Sequence, residues 1–393
     1  MLFRSASIAE VKVQTPPTPG GPPKVDAFGD PLPAHALRRF GTERWHTGAE
    51  IEDIFVFGER TWLVTSWGRA VEWDWQKGVA RRQIESEGSA GDRTTFFTPD
   101  EAWVVSRGVL SIGVWSGKTG AAGAKAERKD GKDECWALSP KGDRFAVATE
   151  TGEIVLFAVP SLGVTQSTQA HKGRIEALAF SPDGKTLAWC GRFGALTLAD
   201  ATTLKPKRTI QGRATDEYAG CSSLTFSADG RTLFTDLGGL GAYDVGTGKR
   251  TGDLSGDEGN VSQIAASKDG LLAIGHHPDG VTVFKAETRA KLRSIAVPGG
   301  GAAVAFSTDG KRLLVGGADG IPRAFDTKTW AEVDPRPVHG QLDQLALASD
   351  GKVLVSADRS GQVRAWDTAT GAALGSRVVG SYPSLASTDA GLY

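Results

Sequence analysis

The chain has 393 residues, with 45 basic and 46 acidic side chains and a formal net charge of −1. A balance so close to neutral gives no sign of a protein that binds nucleic acid or an anionic membrane surface. A repeat array of this length can form one domain instead of two or three. The 51 glycines fit many short strands joined by tight turns, and they follow no collagen-like period.

The first 34 residues differ in composition from the rest of the chain. Their prolines are Pro16, Pro17, Pro19, Pro22, Pro23, Pro31 and Pro33. Proline removes backbone donors and favours an extended chain, so we interpret residues 1–34 as a Pro/Gly-rich tail or linker. Recruitment of a proline-binding domain is the alternative, although no basic anchor flanks the prolines.

No apolar run near the N-terminus is long enough for a signal peptide, and no window of about 20 apolar residues could span a membrane. We therefore expect a cytoplasmic protein with no membrane partner. Cys135, Cys190 and Cys221 are an odd number without C-x-x-C spacing. We expect them to be reduced, part-buried thiols and not zinc ligands.

The clearest strand pattern lies between His171 and Asp200. Two apolar strands are predicted at Ile175–Phe180 and Thr186–Cys190, and a third at Ala195–Ala199. The turn Ser181-Pro182-Asp183-Gly184 separates the first two strands, and Asp-Gly suits a tight hairpin because both residues tolerate positive φ. Three strands of this length cannot bury both faces of their sheet alone, so neighbouring copies are needed.

Two landmarks repeat along the chain with one period. The turn position of Gly184 recurs in steps of 40 to 46 residues, at Arg60, Glu101, Gly142, Gly184, Gly230, Gly270, Gly310 and Gly351. The end of the third strand recurs in steps of 41 to 44 residues, at Trp73, Trp115, Phe157, Ala199, Tyr243, Phe284, Phe325 and Trp366. A period of about 40–45 residues with four short strands is typical of a propeller blade.

We therefore predict an all-β fold, a closed β-propeller of four-stranded antiparallel blades over residues 35–380. Eight blades follow from eight copies of each landmark, and seven is the alternative. To close the ring, residues 37–45 are predicted to pair with the outer edge of the last blade, and residues 372–379 compete for that position. Residues 381–393 form a C-terminal tail that looks like the start of a further repeat.

Four landmark aromatics are followed by aspartate, as in Trp73-Asp74 and Trp366-Asp367. Together with the segments AFSPDGKTLAWC, TFSADGRTLFTD, AFSTDGKRLLVG and VRAWDTATG, they make residues 36–379 resemble a WD40-repeat protein. The segment GDPLPAHALRRFGTERWHTG resembles the start of bacterial propellers, especially those of planctomycetes.

The resemblance implies a buried network of a His, a Ser or Thr, an Asp and the Trp of the third strand. His171 and His339 stand in the His position, and the last repeat has Ser356 and Trp366 but Ser360 in place of the Asp. No repeat has all four members. Stability is therefore expected to come mainly from apolar packing between blades.

Motifs that would carry chemistry fail on their context. Gly184-Lys185-Thr186 resembles the end of a phosphate loop, but no glycine stands five residues earlier and a hairpin is predicted instead of a helix. His276 and His277 are adjacent on an extended chain, so their side chains point to opposite faces. We therefore predict no cofactor, no metal site and no catalytic residues.

The remaining candidates are side chains on loops that a propeller brings to one face. Aromatic and arginine side chains on exposed loops make interface anchors. The predicted partner-binding residues are Trp67, Arg69, Arg192, Phe193, Tyr218, His277 and Arg359.

We interpret the chain as a non-enzymatic WD40 interaction platform that binds a protein or peptide partner and is monomeric on its own. One alternative is a propeller enzyme, such as a lactonase-like hydrolase. It would need converging polar side chains in the axial channel, where the inner strands look apolar. The other alternative is the sensor domain of a larger signalling assembly.

Overall fold

A computed structural model describes most of the repeat region. The described residues are 32, 47–66, 69–85, 95–107, 111–127, 133–191, 195–211, 221–237, 239–254, 261–276, 280–297, 303–333, 342–348, 352–358, 362–370, 373–378, 387–388 and 391–392. This part of the chain contains no helix that is long and apolar enough to cross a membrane.

The described residues form eight antiparallel sheets in which consecutive strands are neighbours, followed by a two-stranded pair. The first two sheets contain β1 (Ile51–Phe57), β2 (Arg60–Thr65), β3 (Arg69–Asp74), β4 (Val79–Glu85), β5 (Thr95–Phe97), β6 (Trp103–Arg107), β7 (Ser111–Ser116) and β8 (Ala122–Glu127). The third and fourth contain β9 (Asp133–Leu138), β10 (Arg144–Thr149), β11 (Glu153–Ala158), β12 (Val164–Gln169), β13 (Ile175–Phe180), β14 (Thr186–Gly191), β15 (Ala195–Asp200) and β16 (Pro206–Gln211).

The fifth and sixth sheets contain β17 (Leu224–Phe226), β18 (Thr232–Thr235), β19 (Gly241–Asp244), β20 (Arg250–Asp253), β21 (Val261–Ala266), β22 (Leu271–His276), β23 (Gly280–Lys285) and β24 (Lys291–Ile295). The last strands are β25 (Ala303–Phe306), β26 (Arg312–Gly316), β27 (Arg323–Asp326), β28 (Leu342–Leu347), β29 (Val353–Asp358), β30 (Gln362–Asp367), β31 (Ala373–Val378), β32 (Ser387–Thr388) and β33 (Gly391–Leu392).

The hairpin between β13 and β14 forms as its turn residues predict. Gly184 has a φ of 69°, in the left-handed region that glycine adopts without strain, and its N–H donates to the Ser181 carbonyl at 2.8 Å. The Ser181 hydroxyl donates to Asp183 Oδ1 at 2.6 Å. The turn therefore fixes the register in which Leu187 pairs with Phe180.

The aromatic landmark occupies the same structural position in every sheet. Each of its eight residues is the next-to-last residue of a third strand, and each is at most 9 % exposed. In the eighth sheet, Trp366 Nε1 donates to Ser356 Oγ at 2.5 Å, so these two members of the expected network do meet. The repeat period is therefore confirmed as the spacing of the sheets.

Apolar clusters of buried side chains join neighbouring sheets. Strand residues alternate between the two flanks of a sheet, so each sheet presents one apolar set to either side. The clusters lie between the first and second sheets around Trp62, the second and third around Phe145, the third and fourth around Trp189, the fourth and fifth around Leu198, the fifth and sixth around Phe284, the sixth and seventh around Val315, and the seventh and first around Ile51. No described residue of the eighth sheet belongs to these clusters.

The first sheet packs directly on the seventh. Ile51 is fully buried against β26, so closely that a Cβ added at Gly316 would collide with its side chain. The Ile51 N–H donates to the Gly317 carbonyl at 3.1 Å, and the Thr47 N–H donates to the Gly320 carbonyl at 2.9 Å. This contact differs from the prediction of eight blades in one ring, because such a ring would place the eighth sheet between the other two.

The eighth sheet and the seventh depart from the predicted arrangement in two further ways. β31 pairs with β30 and takes the outer position that we assigned to residues 37–45, which lie outside the described residues. The seventh sheet has three described strands, with only an isolated bridge from Phe325 to Glu332 beyond them. Leu345 of β28 is 60 % exposed, whereas Val304, the matching residue of β25, is 2 % exposed. Among the described residues, the side of the eighth sheet that carries Leu345 therefore lacks the apolar packing that the matching side of the seventh sheet has.

A half-buried polar bridge joins the first strands of three sheets. Gln263 of the sixth sheet donates from Nε2 to Asp53 Oδ1 of the first sheet at 3.0 Å, and its Oε1 accepts the N–H of Val304 in the seventh at 2.7 Å. The Ile54 N–H also donates to Asp53 Oδ1. Burial raises the pKa of the Asp53 carboxyl from 3.8 to about 6, although these hydrogen bonds lower it in part.

This pKa predicts how one carboxyl affects stability. The folded chain holds the Asp53 proton up to about pH 6, whereas an unfolded chain releases it near 3.8. The contribution to stability is therefore complete below pH 4 and is lost as the pH rises through 6. Asp53→Asn keeps an acceptor for Gln263 without the charge, so it should raise the free energy of unfolding by about 1–3 kcal/mol at pH 7.5 and far less at pH 4.

Urea unfolding of the wild type and Asp53→Asn at both pH values measures this effect. Asp269→Asn, at an exposed turn position, is the matched control and should leave the pH dependence of the wild type unchanged. An equal effect of Asp53→Asn at both pH values would contradict the raised pKa.

The cysteine prediction is wrong for two of the three residues. Cys190 and Cys221 form a disulfide between β14 and the segment before β17, with their Cα atoms 6.1 Å apart. Both are buried in the apolar cluster between the fourth and fifth sheets. The sequence spacing of 31 residues hides a proximity that arises only because the two sheets are neighbours.

The disulfide should stabilise the folded chain by restricting the unfolded one. For a separation of 31 residues, Cys190→Ala combined with Cys221→Ala is expected to lower the free energy of unfolding by about 4 kcal/mol. Guanidinium unfolding with and without a reductant provides the measurement, and the reductant should affect only the wild type. A wild type that unfolds identically under both conditions would contradict the bond.

Candidate binding surface

The sheets present two faces, which we name by their connections. The turn face carries the hairpins between first and second strands and between third and fourth strands. The loop face carries the loops between second and third strands and between each fourth strand and the next sheet. Consecutive strands alternate in direction, so these two sets of connections lie at opposite ends of the sheets.

Most predicted partner-binding residues lie outside the described residues. Arg69 is the first residue of β3, where it is half-buried and pairs in register with Glu85. The others are connected to described strand ends but are not themselves described: Trp67, Arg192, Phe193, Tyr218, His277 and Arg359. Their joint role stays a prediction.

On the turn face, acidic side chains are bound within their own turns. Asp183, Asp229 and Asp309 each accept a hydroxyl hydrogen bond from a serine two residues earlier and a backbone N–H from two residues later. The hydroxyl hydrogen bond from Ser181 is the main cause that lowers the pKa of Asp183. These carboxylates therefore cap the hairpins.

The aspartate after the landmark aromatic has the same kind of role. Asp200 Oδ1 accepts the backbone N–H groups of Thr202 and Thr203 at 3.1 and 3.0 Å. These hydrogen bonds lower the pKa of Asp200 to about 2. Asp74 and Asp326 accept backbone N–H groups in the matching turns. The Trp-Asp pairing of the repeat is thus a strand end followed by a capped turn.

A cleft of about 1500 Å³ lies where the first, seventh and eighth sheets meet. Its lining includes six basic and five acidic side chains together with apolar groups of the seventh sheet. Trp75 packs against Ile321 at its wall and donates from Nε1 to Thr61 Oγ1 at 3.0 Å. The cleft has both charged and apolar walls, and it was not predicted from the loop candidates.

Buried charges lie at the end of the cleft next to the eighth sheet. Arg323 holds Asp319 through two hydrogen bonds of 3.2 and 2.5 Å, with both side chains almost fully buried. Arg364 of β30 is 7 % exposed, and burial lowers the pKa of its guanidinium. Glu332 is more exposed, and partial burial raises the pKa of its carboxyl. Charge therefore replaces an apolar cluster between the seventh and eighth sheets.

The sequence singles out Arg323 and Arg364 by their position in the repeat, which the choice of loop residues did not use. Arg323 and Arg364 stand two residues before the landmark aromatic, on the same flank of the third strand. The other six repeats have an uncharged residue there: Val71, Gly113, Val155, Thr197, Gly241 and Thr282. The substitution of charge into a packing position marks the last two sheets as different.

Within the described ranges, no group of three or more His, Cys, Asp or Glu side chains is placed to hold a metal ion.

Comparisons with known proteins support the WD40 resemblance. Residues 135–229 match the family model of the anaphase-promoting complex subunit 4 WD40 domain. The chain is 24% identical over 204 residues to the Periodic tryptophan protein 2 homolog of Dictyostelium discoideum. That match covers 50% of this chain but only 22% of the relative, so the chain spans under a quarter of the relative's length.

Proposed function

We propose that this chain is a non-enzymatic interaction platform of the WD40 type, which binds a protein or peptide through the loop face. WD40 homologues generally mediate protein interactions. The observation that carries the proposal is the difference between the two faces. Turn-face carboxylates are bound in repeated caps, as in Asp183 and Asp309, whereas the loops that join each fourth strand to the next sheet differ in length.

We also propose that the platform is a closed ring of seven sheets, with the eighth attached beside it. The packing of Ile51 on the seventh sheet supports this arrangement, as does the Gln263 bridge from the sixth sheet to Asp53 of the first. A ring covers the apolar flanks of its first and last members and so leaves neither open to water. The eight-blade ring is the competing arrangement.

The partner class, the oligomeric state, the origin and the cellular location are proposals of the same kind. We retain a protein or peptide partner and a monomeric state, without nucleic acid or membrane contacts. A bacterial origin and a cytoplasmic location also stay predictions. The Cys190–Cys221 disulfide argues against the cytoplasm, because such bonds persist mainly in oxidising compartments.

Replacing the aromatic and arginine candidates tests the loop face. We expect a Trp67→Ala, Arg192→Ala, Phe193→Ala triple variant to melt within a few degrees of the wild type, because loop side chains contribute little to the core. It should nevertheless lose at least ten-fold in affinity for a partner captured by the wild type, since such side chains supply most of the binding energy.

The matched control is Lys141→Ala, Lys185→Ala, Arg231→Ala, which changes three exposed residues of the turn face. Titration of the captured partner against immobilised wild type and both variants gives the affinities. Equal affinity of the two triple variants, with both folded, would refute the loop-face assignment.

A further inference from the structure

Arg364 is a buried arginine with an unused donor. Its Nε is shielded from solvent and has no hydrogen-bond partner among the described residues. The side chain lines the cleft, as does Gln362 two residues earlier on the same strand. Gln362 Oε1 is likewise buried, and the described residues offer it no donor. Residues two apart on a strand share a side, so a donor and an acceptor lie next to each other.

Asp358, Glu332 and Asp319 attract the Arg364 guanidinium and offset part of the effect of burial on its pKa, but within the described residues none of them is hydrogen-bonded to it. Asp319 is bound by Arg323 through both carboxylate oxygens. Asp358 accepts the backbone N–H of Gln362 at 3.0 Å. A buried charge without a direct partner is costly, and a buried polar group normally has a hydrogen bond. The pair on β30 therefore has the character of a site that is completed by a ligand.

The chemistry of the pair restricts the ligand class. A guanidinium recognises a carboxylate or a phosphate, and the amide oxygen of Gln362 needs an N–H donor beside that anion. The near balance of six basic and five acidic side chains in the cleft suits a monovalent carboxylate better than a phosphate. A volume of about 1500 Å³ exceeds that of ordinary small-molecule pockets and accommodates several residues of a peptide.

We propose that this cleft binds an extended acidic peptide. Arg364 receives an aspartate or glutamate carboxylate, and Gln362 Oε1 accepts a backbone N–H of the same segment. Ile321, Val333 and Trp75 supply apolar contacts along the wall. The inference extends the proposed platform function to a second surface, which is separate from the loop face.

Fluorescence anisotropy with a labelled peptide of sequence GVEVEVG tests the proposal, with GVQVQVG as the uncharged control. The wild type should bind the glutamate peptide at least ten-fold more tightly than the glutamine peptide. Arg364→Gln should abolish that preference, and Gln362→Leu should weaken binding of the glutamate peptide several-fold. Arg377→Gln, an exposed arginine on the neighbouring β31, is the matched control and should bind as the wild type does.

Thermal unfolding shows whether the Arg364→Gln variant is folded when its peptide binding is measured. Arg364→Gln removes a positive charge that attracts the buried Asp358, so its peptide binding is measured below the temperature at which that variant begins to unfold. Unchanged peptide preference in a folded Arg364→Gln variant would overturn the proposal. So would displacement of the bound peptide by millimolar inorganic phosphate but not by acetate, because the site would then be a phosphate site.

Failure of this site is distinguishable from failure of the loop-face function. The Trp67→Ala, Arg192→Ala, Phe193→Ala variant should keep the glutamate-peptide affinity of the wild type, and Arg364→Gln should keep the captured partner. If the loop variant also loses the peptide, the peptide binds the loop face and the cleft assignment is wrong.

Discussion

The packing of Ile51 on the seventh sheet is the contact on which the arrangement of the other sheets depends. A small twisted sheet has two apolar flanks, and each must be covered for the sheet to persist in water. Six of the seven clusters follow from neighbours in the sequence, such as that around Trp189. The cluster around Ile51 is different, because it contains Ile51 of the first sheet and Ala303 of the seventh, which are 252 residues apart in the sequence.

The hydrogen bonds among Asp53, Gln263 and Val304 reinforce that contact, although burial disfavours the ionised form of Asp53. Apolar packing does not specify which sheet follows which, since the flanks of all repeats are chemically alike. The amide of Gln263 in the sixth sheet, which is hydrogen-bonded to both the seventh sheet and the first, does specify it. The raised pKa of Asp53 reflects the burial that this arrangement requires. Buried polar groups often have this role of selecting one arrangement among several apolar ones.

The strands and their spacing could be predicted from the sequence because turn residues and apolar strand residues recur within each repeat. The turn at Gly184 and the landmark at Trp366 are examples in which residue chemistry alone decides the structure. Which sheets are neighbours could not be predicted in the same way, because Ile51 and Leu345 look alike as apolar residues of a first strand. The same reason hid the Cys190–Cys221 disulfide and the meeting of Arg323 with Arg364 across two sheets.

The central claim, that the first and seventh sheets are neighbours in a ring, is tested most directly by comparing two truncated chains. Both leave seven sheets: residues 1–333 lack the eighth sheet, and residues 86–393 lack the first. The contacts described above predict that residues 1–333 unfold cooperatively near the melting temperature of the full chain, whereas residues 86–393 lose two clusters and do not. Equal loss of cooperative unfolding in both chains would contradict the seven-sheet ring.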